Sequence, residues 1–368
     1  MELESGAPRA TGTAFTQAVG RYYEAHQQLR PKTLASYKAA TDKLLDWAAK
    51  NGVQSADDLT RARLIGFREK LIAEPKQVAA PKAKRGTRRA TRERRSAHSV
   101  NRELRGVRVV LGYLAELDLL PKIHEGDLRR ALKKLPVTTE EATFLKPPEI
   151  AALLEAALAH DSERYAETRD EHAGKAERGT TPRFVPIAPF VATLLLTGMR
   201  LGEAIALTWS EVDLAALDHD GRHVGEIHLT GATKTKRARI IDLAVSPMLK
   251  ELLAAQHKAA VKKTGKVFPF TSDGAAMIAK RLKNKYEAPE AFGWQVLRST
   301  CGTYLSNAPG IFGAASAYRS ARQLGHSVAV AERHYLGLIR LPPSARTLED
   351  AMAAGEQLQR VLDGLGTA

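Results

Sequence analysis

A histidine and a tyrosine stand nine residues apart near the C-terminus, in the segment LGHSVAVAERHYL. His326 follows Leu324 and Gly325, and Tyr335 follows a run of helix-forming residues. A histidine can donate a proton or a hydrogen bond near neutral pH, and a tyrosine hydroxyl can serve as a nucleophile. Each has a simpler interpretation, His326 as a helix cap and Tyr335 as a core aromatic residue. Their chemistry therefore depends on which other groups the chain supplies.

Three cationic side chains precede this pair. Arg200 stands in TGMRLGEAIAL at the start of a predicted helix, where its burial requires a partner, and Glu203 one turn later is the candidate. Arg298 lies among apolar residues in WQVLRSTCGTYL, and Lys234 lies at the tip of a predicted hairpin in ATKTKRAR, where a lysine is usually solvated. A guanidinium held by a carboxylate can bind a phosphate through two hydrogen bonds. Taken together, the five residues have no common structural explanation.

The first third of the chain is predicted to be a helical domain at residues 14–132, after a flexible tail at 1–13. Apolar residues recur every three to four positions in 14–29, from Pro31 to Asn51-Gly52, in 56–73 and in 99–117. Such amphipathic segments bury one face against each other. We therefore expect a small bundle with its own apolar core.

Positive charge is concentrated in this first third. The net charge is +15, and residues 1–140 hold 28 Lys and Arg against 16 Asp and Glu. Residues 81–95 (PKAKRGTRRATRERR) hold eight of these cations and one acid without apolar periodicity, which predicts a flexible basic loop within 76–98. Such a loop is either a solvated surface or a phosphate-binding segment that orders on binding, and we favour the second. Its candidate phosphate contacts are Lys84, Arg85, Arg88, Arg89, Arg92, Arg94 and Arg95.

The remaining chain predicts a second domain at residues 144–346, joined by a linker at 133–143. Residues 161–183 are strongly charged and predict a surface insertion; from Phe184 a buried helix is followed by a Thr-Gly break and a second helix near Arg200. Alternation around Ile227 and Ile241 predicts a short antiparallel sheet with a basic turn, and the rest to about 340 predicts helices. The fold class expected is mainly α with a small antiparallel β-sheet. A last amphipathic helix within 347–368 can pack on its own core or on a second copy.

Composition excludes several classes of protein. The 368 residues are 44% hydrophobic and 26% charged, as in ordinary globular proteins, and no run of apolar residues is long enough to span a membrane. Cys301 is the only cysteine, which excludes a disulfide framework and disfavours a cysteine metal site. The N-terminus lacks a secretory signal pattern. We expect a cytoplasmic, nucleoid-associated protein with no cofactor, no metal and no membrane partner.

The motifs resemble those of the tyrosine recombinases of the phage integrase family. The order and intervals agree over roughly residues 184–340, and the helical first third is similar to that family's core-DNA-binding domain. The segments that carry the resemblance are TGMRLGEAIALTWSEVDL, ATKTKRARIIDL, QVLRSTCGTYL and LGHSVAVAERHYL. The catalytic residues that the resemblance implies are Arg200, Lys234 (rather than Lys236), Arg298, His326 and the nucleophile Tyr335, with Glu203 in support.

One position departs from the family pattern. The box containing the second arginine usually begins with histidine, and this chain has Gln295 there. Glutamine can donate a hydrogen bond to a phosphate oxygen but carries no titratable proton. If this position takes the tyrosine proton, the loss could reach the ~10²–10⁴-fold typical of general acid–base catalysis.

The resemblance implies a two-domain DNA clamp, with a helical core-binding domain and an α+β catalytic domain. It implies cleavage of double-stranded DNA through a 3′-phosphotyrosyl link, without ATP or metal. It also implies a tetramer on paired sites with the final helix between subunits, and an accessory directionality factor as a possible partner. Lys32, Thr33, Ser36 and Lys38 are further candidate phosphate contacts. The alternatives are a catalytically silent DNA-binding protein, favoured by Gln295, and strand relaxation of the type IB topoisomerase kind.

Overall fold

The computed structural model describes residues 13–79, 88–138, 142–163, 185–230, 238–260, 264–312, 316–325, 327 and 339–366. The chain divides into two compact units, Met1–Thr138 and Thr139–Ala368. The division falls inside the segment 133–143 for which the sequence predicts a linker. Within the described ranges, no helix has both the length and the apolar character needed to cross a membrane.

The N-terminal unit is a helical bundle. Its helices are α1 (Phe15–Ala25), α2 (Pro31–Lys50), α3 (Arg61–Ala73), α4 (Ala97–Glu116) and α5 (Glu125–Ala131). Pro31 occupies the first turn of α2, where its missing N–H costs no hydrogen bond. The predicted apolar stripe of α4 is buried from Val100 to Leu114, and it packs with α1, α2 and α3 in one core. The prediction of a helical bundle here is confirmed.

The basic segment of this unit contains two strands. Strand β1 (Pro75–Ala79) pairs antiparallel with β2 (Arg88–Arg94), so the prediction of a flexible loop is wrong for these residues. The sequence of residues 81–95 did not reveal this pairing, because strands pair through backbone hydrogen bonds and a run of cationic side chains carries no signal for them. Residues 80–87, including Lys84 and Arg85, lie outside the described residues.

The C-terminal unit is helical around a small sheet. Its helices are α6 (Pro147–Ser162), α7 (Ala188–Thr197), α8 (Leu201–Ala206), α9 (Pro247–Ala259), α10 (Ser272–Lys285), α11 (Trp294–Asn307), α12 (Pro309–Phe312), α13 (Ser316–Leu324), α14 (Leu348–Met352) and α15 (Gly355–Gly366). Helix α7 is buried along its whole length, as its continuous apolar sequence predicts. The predicted insertion at 161–183 lies mostly outside the described residues.

The sheet of this unit has the strand order β3-β4-β5, with β3 at Val212–Asp213, β4 at Glu226–Leu229 and β5 at Arg239–Asp242. Strands β4 and β5 are antiparallel, with Ile227 opposite Ile241 and both buried. The expected fold class, mainly α with small antiparallel sheets, is confirmed. Residues 231–237 between β4 and β5, for which the sequence predicts the basic turn with Lys234, lie outside the described residues.

The C-terminal tail packs on its own unit. It forms two helices rather than the one expected, because Ala353 adopts a left-handed conformation with φ +50° between α14 and α15. Leu358 and Val361 of α15 are buried in the core, and Arg360 pairs with Glu155 of α6. Docking of this apolar face on a second copy would require it to leave the core of its own unit.

Candidate functional site

A left-handed glycine lies between α7 and Arg200, the N-cap residue of α8. Gly198 has φ +61°, and a β-carbon there would lie 2.3 Å from Leu324 Cδ2 and 3.1 Å from Cys301 Cβ. This contact brings the end of α7 against α11 and the end of α13. Cys301 is fully buried, and burial raises the pKa of its thiol to about 12, so it is an inert packing residue here.

Two arginines meet on one buried carboxylate. Arg200 stands at the N-cap of α8, and its Nη1 donates to Glu203 Oε1 at 2.8 Å while its backbone N–H donates to Oε2 at 2.9 Å. Arg239 of β5 donates from Nη2 to Oε2 at 2.6 Å and from Nη1 to Oε1 at 3.1 Å. The predicted partner of Arg200 is therefore correct, and Glu203 also ties the sheet to α8.

The charge on Glu203 is stabilised by this arrangement. Its side chain is 4% exposed, and burial alone would raise the pKa of the carboxyl. The hydrogen bonds and charge of Arg239, with the N–H and guanidinium of Arg200, outweigh burial and lower the pKa to about 2. The Arg200 side chain is 24% exposed, so its guanidinium is fixed on one side and open to solvent on the other.

Arg298 is completely buried in α11. Its Nη1 donates to the carbonyl of Gly198 at 2.8 Å, and its Nη2 donates to the carbonyl of Leu324 at 2.5 Å. One guanidinium thus joins the turn before Arg200 to the end of α13. Gln295, one turn earlier on the same helix, is exposed.

The end of α13 is fixed by both buried arginines. Arg239 Nε donates to the carbonyl of Gln323 at 3.0 Å, next to the Leu324 carbonyl that accepts from Arg298. Gly325 follows with φ +72°, and a β-carbon there would lie 2.7 Å from Arg239 Cδ. The backbone that leads into His326 is therefore held at successive carbonyls, while His326 itself lies outside the described residues.

A groove of about 1000 Å³ opens beside this junction, between the β4–β5 sheet and α13. Arg319 and Arg322 line it with the exposed ring of Tyr318, and Arg239 and Gly325 lie at its inner wall. Arg319 Cζ lies 5.5 Å from the ring centroid of Phe312. The groove combines cations with an aromatic surface, a combination suited to a polyanion with flat bases.

Comparison with known proteins gives structural matches only. No protein-family model and no curated protein matches the chain. Among solved structures, a lambda integrase dimer bound to a COC′ core site matches with TM-score 0.53 and 13% identity, over 90% of this chain and 100% of that chain. The XerH site-specific recombinase bound to difH substrate matches with TM-score 0.51 and 14% identity, over 86% and 80%. The Tn1549 transposon integrase bound to circular intermediate DNA matches with TM-score 0.50 and 13% identity, over 89% and 97%.

The fold is that of the tyrosine recombinases. The fold resemblance expected from the four motifs is therefore confirmed, although so few identical residues remain that the similarity concerns architecture alone. Within this structure, Arg298 connects the turn before Arg200 to the end of α13 through the carbonyls of Gly198 and Leu324.

Of the residues predicted for this site, the described part of the chain includes Arg200, Glu203, Gln295 and Arg298. Arg200 and Glu203 are in direct contact, and Arg298 donates a hydrogen bond to the carbonyl of Gly198, two residues before Arg200. Lys234, His326 and Tyr335 lie outside the described residues, so their positions stay predictions.

The candidate DNA contacts of the N-terminal unit lie on α2 and the basic strands. Lys32 and Lys38 are exposed, and Thr33 and Ser36 are half-buried in the first turns of α2. On β2, Arg89, Arg92 and Arg94 are exposed, and only the backbone of Arg88 is described. Arg95 differs from these, because its guanidinium donates to Glu74 and Glu103 inside the unit.

Sequence reasoning missed Arg239, Arg319 and Arg322. A signal for Arg239 was present, since it occupies the same strand face as buried Ile241, two residues later. An arginine on the inward face of a strand requires a buried acceptor. The two residues on α13 carry no such signal, because exposed arginines on a helix are common.

Proposed function

We propose that this protein is a site-specific DNA recombinase that cuts and rejoins strands through a phosphotyrosine at Tyr335. The observation that carries the proposal is the junction at which Arg298 links the Gly198 turn to Leu324, two residues before His326. It supports the convergence on one phosphate of three motifs, because Arg298 bonds to one residue 100 positions earlier and to another 26 positions later. The tyrosine recombinase fold supports the same conclusion.

The proposed chemistry follows from the charge of the phosphodiester. Attack by the Tyr335 oxygen forms a bond to phosphorus, breaks the bond to the 5′-oxygen and adds negative charge to the non-bridging oxygens. The partly exposed Arg200 would stabilise that charge, with His326 donating a further hydrogen bond, and the buried Arg298 would add its positive charge from its position between the Gly198 and Leu324 carbonyls. Lys234 would protonate the leaving 5′-oxygen. The phosphotyrosine conserves the bond energy, so a second strand's 5′-hydroxyl can reverse the step without ATP.

Release of the tyrosine proton is the step that Gln295 affects. A tyrosine hydroxyl has a pKa near 10, so its proton must leave as the bond to phosphorus forms. An amide cannot accept that proton, which leaves His326 or water as the acceptor. Gln295 is exposed at the start of α11, and in this proposal it would donate a hydrogen bond to bound DNA.

Binding is proposed to use the cations of the N-terminal unit on duplex DNA. Lys32, Thr33, Ser36 and Lys38 at the start of α2 would contact phosphates, and so would Arg319 and Arg322 in the C-terminal groove. The basic strands would bind the same duplex. A tetramer on paired sites, an accessory directionality factor and a cytoplasmic location belong to the same proposal.

Covalent capture tests the proposal. The protein is incubated with randomised and genomic duplexes and denatured in SDS, and the attached DNA is sequenced. We expect attached DNA with the wild type and none with Tyr335→Phe. Failure of the wild type to retain DNA, while salt-sensitive binding persists, would sink the proposed activity.

A catalytically silent DNA-binding protein is the second candidate, and Gln295 is the observation that favours it. The discriminating variant is Gln295→His. If the wild type captures no DNA and this variant does, the chain has lost its activity through one residue. Relaxation of supercoiled DNA by the protein as a monomer, without joining of two sites, would instead favour the topoisomerase alternative.

A further inference from the structure

The two strands of the N-terminal unit form an isolated ribbon. We use this name for β1 and β2, Pro75–Ala79 and Arg88–Arg94, which pair antiparallel between α3 and α4. None of its described side chains joins the apolar core of the unit. Two-stranded ribbons without a packed face are marginally stable in water. Because no described side chain of the ribbon belongs to that core, neither face of the ribbon is packed against the apolar core of the unit.

A network of ion pairs fixes the base of the ribbon. Arg95, directly after β2, donates to Glu74 at 2.8 Å and to Glu103 at 2.8 and 2.5 Å, and Lys43 donates to Glu103 at 2.9 Å. Burial alone would raise the pKa of Glu103. The hydrogen bonds and charges of Arg95 and Lys43 outweigh burial, so the pKa is lowered. Since these residues belong to α2, to α4 and to the ends of both strands, the ribbon leaves the bundle at a fixed point.

The two faces of the ribbon differ in chemistry. On one face, Lys76 pairs with Glu93 at 2.7 Å and its carbonyl accepts from the Thr91 hydroxyl at 3.0 Å. Arg94 lies opposite Pro75 and Ala90 lies opposite Gln77, so Ala90 and Arg94 share one face of the ribbon. Arg92 lies midway between them, at the register shift of β2 opposite Lys76, and its spacing of two residues from both assigns it to the same face. The Lys76–Glu93 ion pair thus lies on the opposite face from Arg92 and Arg94 and does not neutralise their charge.

The face with Arg92 and Arg94 also carries Gln77 and Ala90, which lie directly opposite each other in the register. All four side chains are exposed, and neither arginine forms a hydrogen bond or an ion pair with any described residue. Arginine is suited to the guanine edge in the major groove, glutamine to adenine, and an alanine methyl to the methyl group of thymine. We call this set of four the reading face.

We propose that the ribbon enters the major groove of duplex DNA and reads bases with Gln77, Ala90, Arg92 and Arg94. The major groove is about 12 Å wide and admits a two-stranded β-ribbon. The inference rests on the proposed function for its ligand, duplex DNA, and adds to it a determinant of sequence preference. Arg89, on the opposite face, contributes charge but no base contact.

The test selects preferred sequences from a library of 30-bp random duplexes with the full chain carrying Tyr335→Phe, so that cleavage is not needed for a result. The variant pair Arg92→Ala and Arg94→Ala is compared with Lys76→Ala and Arg89→Ala, which remove the same charge from the other face. We expect the first pair to abolish preference at a few adjacent base pairs, by roughly 5- to 100-fold for each arginine, and to leave the remaining preferences intact. The second pair should lower affinity in a salt-dependent way with preferences unchanged.

Two outcomes would overturn the proposal. Equal loss of affinity from both pairs with unchanged preferences would mean that the ribbon contacts only phosphates, and no effect from either pair would place it away from DNA. A measurement without variants checks the groove. Methylation of guanine N7 should weaken binding of the Tyr335→Phe protein at the base pairs that depend on Arg92 and Arg94, and binding indifferent to N7 methylation would also exclude major-groove reading. Because binding is measured apart from covalent capture, a silent protein would still give a clear answer.

Discussion

At the scale of single residues, the buried arginines of the C-terminal unit have different acceptors. Arg298 donates to two backbone carbonyls, whereas Arg239 donates to the carboxylate of Glu203 and one carbonyl. A buried ion pair adds little net stability, but loss of one partner leaves a costly uncompensated charge. Arg239 is therefore a positioning residue, which acts on the site through Glu203 and Gln323.

The losses of stability caused by removing Arg239 and by removing the Glu203 charge should not be additive. We expect Arg239→Met to lower the free energy of unfolding by about 3–5 kcal/mol, because Glu203 then stays buried with only Arg200. The double variant with Glu203→Gln should lose less than the sum of the single losses. Urea unfolding of the four proteins measures this coupling. Additive losses would show that Arg239 and Glu203 do not stabilise each other.

The lowered pKa of Glu203 makes a second prediction, on pH. Its folded-state pKa of about 2 lies below the ordinary 4.5, so its stabilisation is complete above about 4.5 and is lost as pH falls towards 2. At neutral pH the contribution is on the order of 3 kcal/mol. The deficit of Glu203→Gln relative to wild type should therefore shrink as the pH falls below about 4.5, as measured by urea unfolding. A deficit constant from pH 7 to 3 would contradict it.

At the scale of elements, Gly198 decides how α7, α11 and α13 meet. Gly198→Ala would place a methyl group 2.3 Å from Leu324 Cδ2 and force a left-handed backbone on alanine. We expect a loss of about 1–3 kcal/mol in unfolding free energy and reduced covalent capture, since Leu324 must move. Gly202→Ala is the matched control, because no atom lies within 4 Å of its added methyl in α8. Its stability should stay equal or rise by up to about 1 kcal/mol, and equal losses in both variants would refute the role of the contact.

Local patterns predicted the elements whose own residues determine them. The start of α2 at Pro31 and the buried stripe of α4 follow from proline chemistry and periodicity. Helix α5 has seven residues, of which Leu128 and Ala131 are buried, so it shows too little of a period to be recognised. The ribbon was missed because the pairs that hold its base join Arg95 to residues 21 and 8 positions away.

The candidate site was predicted in the same uneven way. The contact of Arg200 with Glu203 is local, at one helical turn, and was expected from burial of the guanidinium. The bond from Arg239 to Glu203 spans 36 residues and joins a strand to a helix, which no periodicity reveals. Likewise, the approach of Arg298 to Leu324 depends on how α11 and α13 pack.

At the scale of the whole molecule, the two units have separate apolar cores and very different charge. The N-terminal core comprises residues from Phe15 to Leu132, and the C-terminal core comprises residues from Leu145 onwards. Residues 1–138 hold 28 Lys and Arg against 15 Asp and Glu, whereas residues 139–368 hold 28 against 26. The core of each unit is large enough for independent folding, while the excess of positive charge lies mainly in the first.

We therefore expect fragments 1–138 and 139–368 each to unfold cooperatively in urea, because no buried apolar cluster includes residues of both among those described. The first fragment should bind a labelled 30-bp duplex at low salt at least about tenfold more tightly than the second, with affinity falling steeply as salt is raised. A mixture of the two fragments serves as the control for the full chain. In the proposed function the N-terminal unit supplies most of the DNA binding and the C-terminal unit supplies the catalysis. The mixture should therefore bind DNA with the salt dependence of the first fragment. If the second fragment binds as tightly and with as steep a salt dependence, the proposed DNA contacts belong to the C-terminal groove, not to α2 and the ribbon.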